Sequence, residues 1–376
     1  MKQNRTICSV CIMDKSDPEI SFDNSGVCNH CNRFESLKDS RLSLSNKEET
    51  LSKLIDEIKK KKNKDGYDCI IGVSGGVDST YVAYILKKMG LNPIAIHFDN
   101  GWNSELATKN IELTLDKLNI DLYTYVIDWD YFKEIQKAFL FSSTPDGEVP
   151  TDHAINALLF NEANKRNIKY IINGMNFITE GAKVNKWAYG HSDWKYIKSV
   201  TKKFSKIKSF KKYPHFSIFS LLKNVLFNRL KVVSILNYID YNKDEAMKTI
   251  TDEIGWKYYG GKHYESIYTR FFQGYFLPLK FGIDKRRAHL SDLIRSGQEK
   301  RENALKIMKL DTYPDLKLKE EDLEFVKKKF DLSDKDFAKI IKMKNKSFED
   351  YPNNERKISK LKNGLNWLRK NKYYTK

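Results

Sequence analysis

The sequence predicts an α/β protein with a parallel sheet, preceded by a small cysteine-rich module and followed by a mainly helical region. Short apolar runs alternate with segments of helical periodicity over residues 65–200, which favours a parallel sheet covered on both faces. Two Cys-x2-Cys pairs lie within residues 1–40, and the pattern beyond residue 200 is mainly helical. At 376 residues the chain is long enough for two or three domains.

The first element is the pair of cysteine motifs, Cys8 with Cys11 and Cys28 with Cys31. Their spacing is typical of a four-cysteine zinc site, in which each tight turn directs two thiolates toward one ion. We therefore predict a structural Zn²⁺ ribbon over residues 1–40, with a redox pair as the alternative. Four thiolates complete a tetrahedron, so the neighbouring His30 is predicted not to bind the metal.

A connector helix is predicted over residues 41–64, where Ser45 and Glu48 form a capping box. The α/β domain of residues 65–200 follows, with its last helix capped by Thr151 or Asp152. The predicted strands are Asp68–Val73, Pro93–Phe98, Leu122–Ile127 and Lys169–Asn173. The predicted helices between them are Ser79–Met89, Glu105–Leu118, Tyr131–Phe141 and His153–Asn167.

The hexapeptide from Ser74 to Ser79 joins the first predicted strand to the first predicted helix. Its adjacent glycines, Gly75 and Gly76, allow close backbone approach, and the helix N-terminus adds the positive end of a dipole. The loop lacks both the lysine of a Walker loop and the third glycine of a dinucleotide fingerprint. It therefore predicts an anion-binding loop of another type, with an ordinary strand–turn–helix as the alternative.

Glycine and polar residues also follow two other predicted strands. His97, Phe98 and Asp99 lie at the end of the second strand, and a segment that runs from Gly174 through Glu180 follows the fourth. Ligands of parallel sheets bind at the carboxyl ends of the strands. These residues are therefore predicted to line one site, although Phe98 is equally well explained as a core residue.

The stretch from Gly260 to Leu290 mixes cationic, aromatic and proton-transferring residues, which suits a site for an anionic ligand with a ring. Its candidate site residues are Lys262, His263, Glu265, Arg270, Arg286 and Arg287. We predict a substrate-binding region over residues 201–310 and a helical basic tail over residues 311–376, with a helix cap at Ser333 and Asp336.

The formal net charge is +18, and the segment from Lys183 to Lys231 holds thirteen Lys or Arg residues and one acidic residue. Aromatic residues alternate with these charges, which suits a surface for a polyanion, although a solvated basic face or a partner dock remains open. The sequence lacks an uncharged apolar run of transmembrane length and an N-terminal apolar signal region. These features predict a soluble cytoplasmic protein.

The motifs resemble those of known enzymes. The segment Ser74–Ser79 resembles the PP-loop of the N-type ATP pyrophosphatases, which split ATP between its α and β phosphates. The cysteine pairs, this loop, the segment His97–Trp102 and the block Gly260–Leu290 together resemble the N-acetyl sugar amidotransferases of bacterial surface-glycan synthesis, the WbpG/PseA type. That resemblance covers most of the chain and implies a Rossmann-like, HUP-type fold. It also implies conversion of an acetamido group to an acetamidino group of a sugar or nucleotide sugar.

The resemblance further implies roles for the candidate residues. ATP and Mg²⁺ would be the cofactors, with Asp78 facing Mg²⁺ and the serine hydroxyls donating to phosphate. The implied cofactor-binding residues are Ser74, Gly75, Gly76, Asp78, Ser79, His97, Phe98, Asp99, Gly174, Lys262, Arg286 and Arg287. The implied catalytic residues are Asp78, Glu180, His263, Glu265 and Arg270, among which the proton acceptor is open.

The chain is predicted not to make ammonia itself, because the one cysteine outside the pairs, Cys69, lies in a predicted strand. Related proteins work with HisH-like glutaminase and HisF-like subunits, so a partner of this type is predicted, with free ammonia as the alternative. The rival function is tRNA 2-thiolation, which shares the ribbon and loop but uses further cysteines. A nucleic-acid-binding module without enzymatic activity is a third hypothesis, but it leaves the loop from Ser74 to Ser79 unexplained. No nucleic acid is expected as a partner.

Overall fold

The computed structural model describes residues 7–42, 47–182 and 184–361. At its centre lies a parallel sheet of five strands in the order β3-β2-β1-β4-β5. The strands are β1 (Cys69–Gly72), β2 (Pro93–Asp99), β3 (Leu122–Val126), β4 (Tyr170–Asn173) and β5 (Lys231–Ser234). The predicted parallel α/β sheet is confirmed.

The edge strand β5 was missed because only two consecutive apolar residues, Val232 and Val233, lie between Lys231 and Ser234. It pairs with β4, so the sheet extends beyond the boundary predicted at residue 200. The first eight helices are α1 (Asn29–Leu42), α2 (Lys47–Lys59), α3 (Val77–Lys88), α4 (Glu105–Leu118), α5 (Trp129–Ser142), α6 (Val149–Lys165), α7 (Phe177–Glu180) and α8 (Trp194–Phe204).

The C-terminal part is mainly helical, as predicted, and its helix cap at Ser333 and Asp336 is confirmed. Its helices are α9 (Ile218–Leu226), α10 (Lys243–Ile254), α11 (Ile267–Phe271), α12 (Leu277–Phe281), α13 (Arg286–Arg295), α14 (Arg301–Ile307), α15 (Leu316–Lys329) and α16 (Asp334–Lys342). A π-helical turn at Phe272–Phe276 joins α11 to α12.

Two predicted helix starts need comment. The start of α6 was predicted wrongly: this helix begins at Val149, and Pro150 occupies its first turn, where a missing N–H costs nothing. The capping box predicted at Ser45 and Glu48 lies partly outside the described residues, as does the end of the basic tail, residues 362–376.

Both faces of the sheet are covered by helices. Ile70 and Ile171 point into a core formed with α5, α6 and α8, whereas Ile71 and Ile172 point into the opposite core with α2, α3 and α4. The chain runs outward from β1 to β3 and returns to β4 on the other side of β1. This reversal is a topological switch point, so a crevice opens beyond the carboxyl ends of β1 and β4.

The basic segment of residues 184–231 contributes rings to the core and charges to the surface. Trp187, Tyr196 and Tyr213 are buried, and Trp194 stacks on His215 with ring centroids 4.2 Å apart. These rings are therefore not displayed for stacking on a nucleic acid. Within the described ranges, no helix combines the length and the apolar character needed to cross a bilayer.

Candidate functional site

The loop from Ser74 to Ser79 lies at the switch point, directly after β1 and at the start of α3. Gly76 is the N-cap of α3, so Val77 and Asp78 fall in the first helical turn. Three long hydrogen bonds hold loop N–H groups. Gly76 N donates to Ser74 Oγ at 3.3 Å, Ser74 N donates to Ser79 Oγ at 3.3 Å, and Val77 N donates to the Tyr259 hydroxyl at 3.4 Å. Phosphate oxygens accept stronger hydrogen bonds than hydroxyls, so the loop is suited to exchange these partners for an anion.

Glycine is required at Gly75 for two separate reasons. Its φ of +76° is left-handed, and a Cβ there would lie 2.4 Å from the carbonyl oxygen of Ala107. The Gly75 carbonyl accepts a 2.9 Å hydrogen bond from Trp256 Nε1. The loop is therefore fixed between α4 and the segment that follows α10.

A second glycine, Gly76, lies beneath the segment of residues 259–265. A Cβ on Gly76 would approach Glu265 Oε1 and the Tyr259 hydroxyl, both at 3.3 Å. Gly174, at the end of β4, would similarly place a Cβ 3.0 Å from Asp78 Cβ. The same segments of chain enclose a cavity of about 200 Å³. Its lining residues are Ser74, Gly76, Val77, Asp78, Ser79, Gly174, Met175, Glu180, Lys243, Tyr259, Lys262, His263 and Glu265.

Three carboxylates line this cavity, and two of them, Asp78 and Glu180, interact with each other. Burial and the charge of Glu180 raise the pKa of the Asp78 carboxyl above its ordinary value. The Tyr241 hydroxyl donates a hydrogen bond to Asp78 Oδ1. This pair of like charges is a place where bound positive charge would be favoured.

Two lysines supply cations to the same cavity. Lys262 Nζ lies 3.5 Å from Glu180 Oε1 and donates to His289 Nδ1 at 3.2 Å. Burial and the charge of Lys262 lower the pKa of Lys243, and burial together with both lysines lowers the pKa of His289 well below its usual range. Since two close ammonium groups repel each other, an anion between them would be stabilised.

His263 and Glu265 lie on the segment that covers the loop. His263 has a φ of +63°, and its Nδ1 is 3.5 Å from Glu265 Oε1. Burial raises the pKa of the Glu265 carboxyl, but the hydrogen bond and charge of His263 outweigh burial, and the net pKa lies below the usual value. Glu265 Oε2 is buried without a hydrogen-bond partner among the described residues, so this oxygen is free to accept one.

The end of β2 lies beside the loop, but its side chains have structural partners. His97 Nδ1 lies 2.9 Å from the Val73 carbonyl and its Nε2 lies 2.8 Å from Asn103 Nδ2. Phe98 is buried against Tyr125 and Phe132. Nucleoside contacts at this strand end therefore stay a prediction and would have to use backbone atoms or Asp99.

Three predicted arginines do not line the cavity. Arg270 makes a two-pronged ion pair with Asp322 at 2.6 and 2.7 Å, and Arg286 binds Asp284 together with two backbone carbonyls. Arg287 donates at 2.6 Å to a backbone carbonyl of the cysteine ribbon. Their predicted contacts with phosphate are not supported by these positions, because each guanidinium already has a structural partner.

The predicted residues that do meet are the loop, Gly174, Glu180, Lys262, His263 and Glu265. Sequence reasoning missed Lys243, Tyr241, Tyr259 and His289 as members of the same site. Tyr259 and His289 flank or fall within the block Gly260–Leu290, so that block was their only signal. Tyr241 and Lys243 stand in an ordinary loop and helix start, and nothing in their local pattern marks them.

The four predicted zinc ligands form one buried cluster. Their sulfur atoms all lie within 4.8 Å of one another, with Cys11 and Cys28 at 3.7 Å and Cys8 and Cys31 at 3.9 Å. Tetrahedral Zn²⁺ with sulfur ligands at about 2.3 Å requires nearly this spacing. Arg295 Nη1 lies 3.5 Å from Cys11 Sγ, which offsets the excess negative charge of four thiolates around one zinc ion. The cluster therefore fits a closed structural zinc site.

His30 stands apart from the sulfur atoms, as predicted. Its Nε2 lies 2.7 Å from Asp17 Oδ2, and both side chains are buried. The ribbon also docks on the C-terminal helices, because Arg301 donates to the carbonyls of Cys8 and Cys11.

A further polar cluster, absent from the predictions, lies just before α6. Glu148 Oε2 accepts a 2.6 Å hydrogen bond from Thr269 Oγ1, whereas Glu148 Oε1 is buried and lacks a partner among the described residues. Burial and the charge of Asp152 raise the pKa of Glu148 to about 8. His191 pairs with the neighbouring Asp146 at 2.9 Å. Glu148 is thus a carboxyl that holds its proton near neutral pH.

Two sequence families match separate parts of the chain. Residues 68–182 match the family described as "Queuosine biosynthesis protein QueC", and residues 265–365 match the family described as "LPS biosynthesis protein WbpG-like, C-terminal domain". The first segment carries the loop from Ser74 to Ser79, and the second begins at Glu265, the residue above Gly76. The chain is a WbpG-like member of the PP-loop ATP pyrophosphatase superfamily. The loop is thus its PP-loop, and the members of this superfamily are ATP-utilising enzymes.

Individual relatives share the PP-loop region. A segment of 113 residues, 28% of this chain, is 35% identical to 32% of the tRNA-specific 2-thiouridylase MnmA 2 of Fusobacterium nucleatum. A segment of 84 residues, 22% of this chain, is 36% identical to 36% of the 7-cyano-7-deazaguanine synthase of Nautilia profundicola. The chain spans about a third of the length of these curated relatives.

Among solved structures, the NH3-dependent NAD synthetase from Campylobacter jejuni superposes on 55% of this chain and 83% of its own, with 19% identity and a TM-score of 0.29.

Proposed function

We propose that this protein is an ATP-dependent amidotransferase that converts an acetamido group of a bacterial surface-glycan sugar precursor to an acetamidino group. The amide oxygen attacks the α-phosphorus of ATP, which forms an O-adenylyl imidate and releases pyrophosphate. Ammonia then attacks the imidate carbon, AMP leaves with the former amide oxygen, and one proton is lost. The observation that carries the proposal is the meeting of Glu265, where the WbpG-like segment begins, with Gly76 of the PP-loop.

The cavity is suited to stabilise the leaving pyrophosphate. The PP-loop and the N-terminus of α3 line it, and Lys243 and Lys262 add two positive charges. Both lysines come from the chain beyond the QueC-like segment. Tight positioning of these cations would lower the barrier mainly by stabilising charge that develops on the bridging oxygen.

The residues present fit Mg²⁺ as the partner of ATP. Burial and the charge of Glu180 raise the pKa of Asp78, and a divalent cation beside these carboxylates would relieve their repulsion. When bound, Mg²⁺ would neutralise negative charge on phosphate oxygens. Asp78, aligned by Tyr241, is the residue proposed to hold it.

Glu265 is the proposed acceptor of the proton that ammonia loses. Its net pKa lies below the usual value, so it is a carboxylate at neutral pH, and its Oε2 lacks a partner among the described residues. His263 beside it would stabilise the carboxylate and pass the proton to solvent, since its side chain is 40% exposed. Glu180 is the weaker candidate because it is paired with Lys262.

Ammonia is proposed to come from a separate HisH-like glutaminase, with a HisF-like subunit as the channel. Four of the five cysteines form the zinc cluster, and Cys69 is buried in β1, where burial raises its pKa well above the ordinary range. A buried neutral thiol is not a glutaminase nucleophile. We place the reaction in the cytoplasm, where ATP is available.

The test is a reaction with ATP, Mg²⁺, ammonium and a diacetamido nucleotide sugar. We expect AMP release that depends on the sugar, and a product in which one oxygen is replaced by an NH group. Glutamine alone should give no product with the purified chain, and should support the reaction when the glutaminase partner is added.

The second candidate function is tRNA modification, favoured by the 35% identity to a tRNA-specific 2-thiouridylase over 113 residues. The same assay decides between the two. AMP release stimulated by tRNA and not by the sugar would overturn the amidotransferase proposal.

A further inference from the structure

Helix α9 presents its polar side to the protein and its apolar side to solvent. Asn224 is its one buried residue, and the Asn224 Oδ1 atom accepts hydrogen bonds from Asn164 at 2.9 Å and Asn228 at 3.1 Å. Phe219 is 84% exposed, and Phe227, immediately after the helix, is 78% exposed. Single exposed apolar residues are common, but two outward rings on a short helix and its C-cap indicate that this face binds a partner.

The exposed face continues along the chain beyond the two rings. Val225 and Leu226 are also exposed, and Val232 extends the apolar surface onto the edge strand β5. Leu226 follows Phe219 by seven residues, so the two lie on the same side of the helix. The apolar surface therefore spans the length of α9 and reaches the sheet edge.

This apolar face belongs to a strongly basic segment, in which Lys212 and Lys231 are paired with Asp128 and Glu57. Residues 194–239 contain eleven Lys or Arg residues and not one Asp or Glu. Lys223 and Arg229, at the end of α9, are both exposed. Because most aromatic rings of the preceding segment are packed inside, its surface is left to lysine side chains.

A cavity of about 400 Å³ opens beside α9. Lys169, Lys223 and His215 line it together with Asn164 and Asn228, whose amide groups supply donors and acceptors. Ammonium and amide groups of this kind suit a phosphate that carries hydroxyl groups. The cavity lies at the amino end of β4, away from the PP-loop at the carboxyl ends of the strands.

We propose that α9 and this cavity form a docking surface for an anionic phospholipid bilayer. Phe219, Leu226 and Phe227 would enter the boundary between headgroups and acyl chains, as the apolar face of an interfacial helix does. The surrounding lysines would be drawn to the negative membrane surface, and the cavity would take one headgroup phosphate. A bilayer fits better than RNA, because Val225, Leu226 and Val232 extend the exposed apolar surface beyond the two rings, whereas a base stacks only on a ring.

The experiment is co-sedimentation of the full chain with vesicles. One set is phosphatidylcholine alone, and the other is phosphatidylcholine with phosphatidylglycerol, each at low and high salt. We expect binding to the anionic vesicles that weakens as salt is raised. The double variant Phe219→Ser/Phe227→Ser should bind roughly tenfold more weakly or worse, and Lys169→Gln/Lys223→Gln should lose most of the preference for anionic lipid.

The matched control is Leu310→Ser/Leu316→Ser, two residues that are each 67% exposed outside this surface. It should bind anionic vesicles as the unaltered chain does. The proposal is overturned if the unaltered chain does not sediment with anionic vesicles, or if the phenylalanine variant sediments equally well. It is also overturned if the chain prefers a single-stranded RNA competitor that displaces it from the vesicles at equal charge concentration.

Discussion

Replacing Gly75 by alanine tests whether the PP-loop must keep its observed backbone path. Alanine in the left-handed region costs about 1–2 kcal/mol, and Gly75 has a φ of +76°. The new Cβ would also lie 2.4 Å from the Ala107 carbonyl oxygen, so the loop and α4 would have to separate by roughly 1 Å. We expect Gly75→Ala to displace the loop N–H groups from the phosphate.

The magnitude follows from the hydrogen bonds at stake. Losing one charge-assisted hydrogen bond costs about 1.5–3 kcal/mol, which corresponds to roughly a tenfold to hundredfold rise in Kd. Isothermal titration calorimetry with ATP and Mg²⁺ would measure this rise. Thermal unfolding in parallel would report the loss of stability from the backbone strain.

Gly297 offers a matched control, because it has the same φ of +76° and no atom within 4 Å of an added Cβ. Gly297→Ala should lower the unfolding temperature through the same backbone strain and leave the Kd for ATP unchanged. If Gly75→Ala and Gly297→Ala bind ATP equally well, the close contact with Ala107 does not shape the phosphate site and the reasoning is refuted.

Three further predictions follow from the site. Cys28→Ser should lose bound zinc and unfold at a lower temperature, whereas His30→Ala should keep its zinc by elemental analysis; equal zinc in both would contradict the four-cysteine assignment. Lys262→Ala should weaken ATP binding about tenfold or more, whereas Arg286→Ala should lower stability and leave ATP binding intact. Calorimetry that finds weaker ATP binding in Arg286→Ala and not in Lys262→Ala would contradict this assignment. Because the pKa of Glu148 rises from 4.5 to about 8 on folding, its protonated form stabilises the fold, and this stability should be lost as the pH rises through about 8. Glu148→Gln keeps a neutral side chain at every pH. The unfolding temperature of the unaltered chain minus that of this variant should therefore decrease as the pH rises from 5 to 9. A difference that does not change with pH would contradict a raised pKa.

Patterns within short stretches of sequence correctly predicted most strands and helices of the α/β domain. Four strands, the helices between them and the cap at Ser333 were predictable because each depends on residues within one turn or one strand of each other. The start of α6 was missed because proline favours the first helical turn more strongly than a polar cap farther on. The edge strand β5 was missed because its pairing with β4, and not its own composition, makes it a strand.

The candidate site divides in the same way. The PP-loop and the cysteine cluster were predictable because a glycine turn before a helix and two Cys-x2-Cys pairs each encode their chemistry within a few residues. The partners of Arg270, Arg286 and Arg287 were not predictable, because a guanidinium is attracted both by a phosphate and by a carboxylate such as Asp322. Only the folded chain shows which partner lies within reach.

Local sequence patterns establish a parallel α/β sheet, an anion-binding loop and four cysteines spaced for one metal ion. Each of these depends on neighbouring residues, whose geometry the backbone largely dictates. Only in the folded chain does Lys243 join the predicted Lys262 as a second cation at the loop. Tyr241 reaches Asp78 across 163 residues of chain, and the packing that brings them together has no local signature.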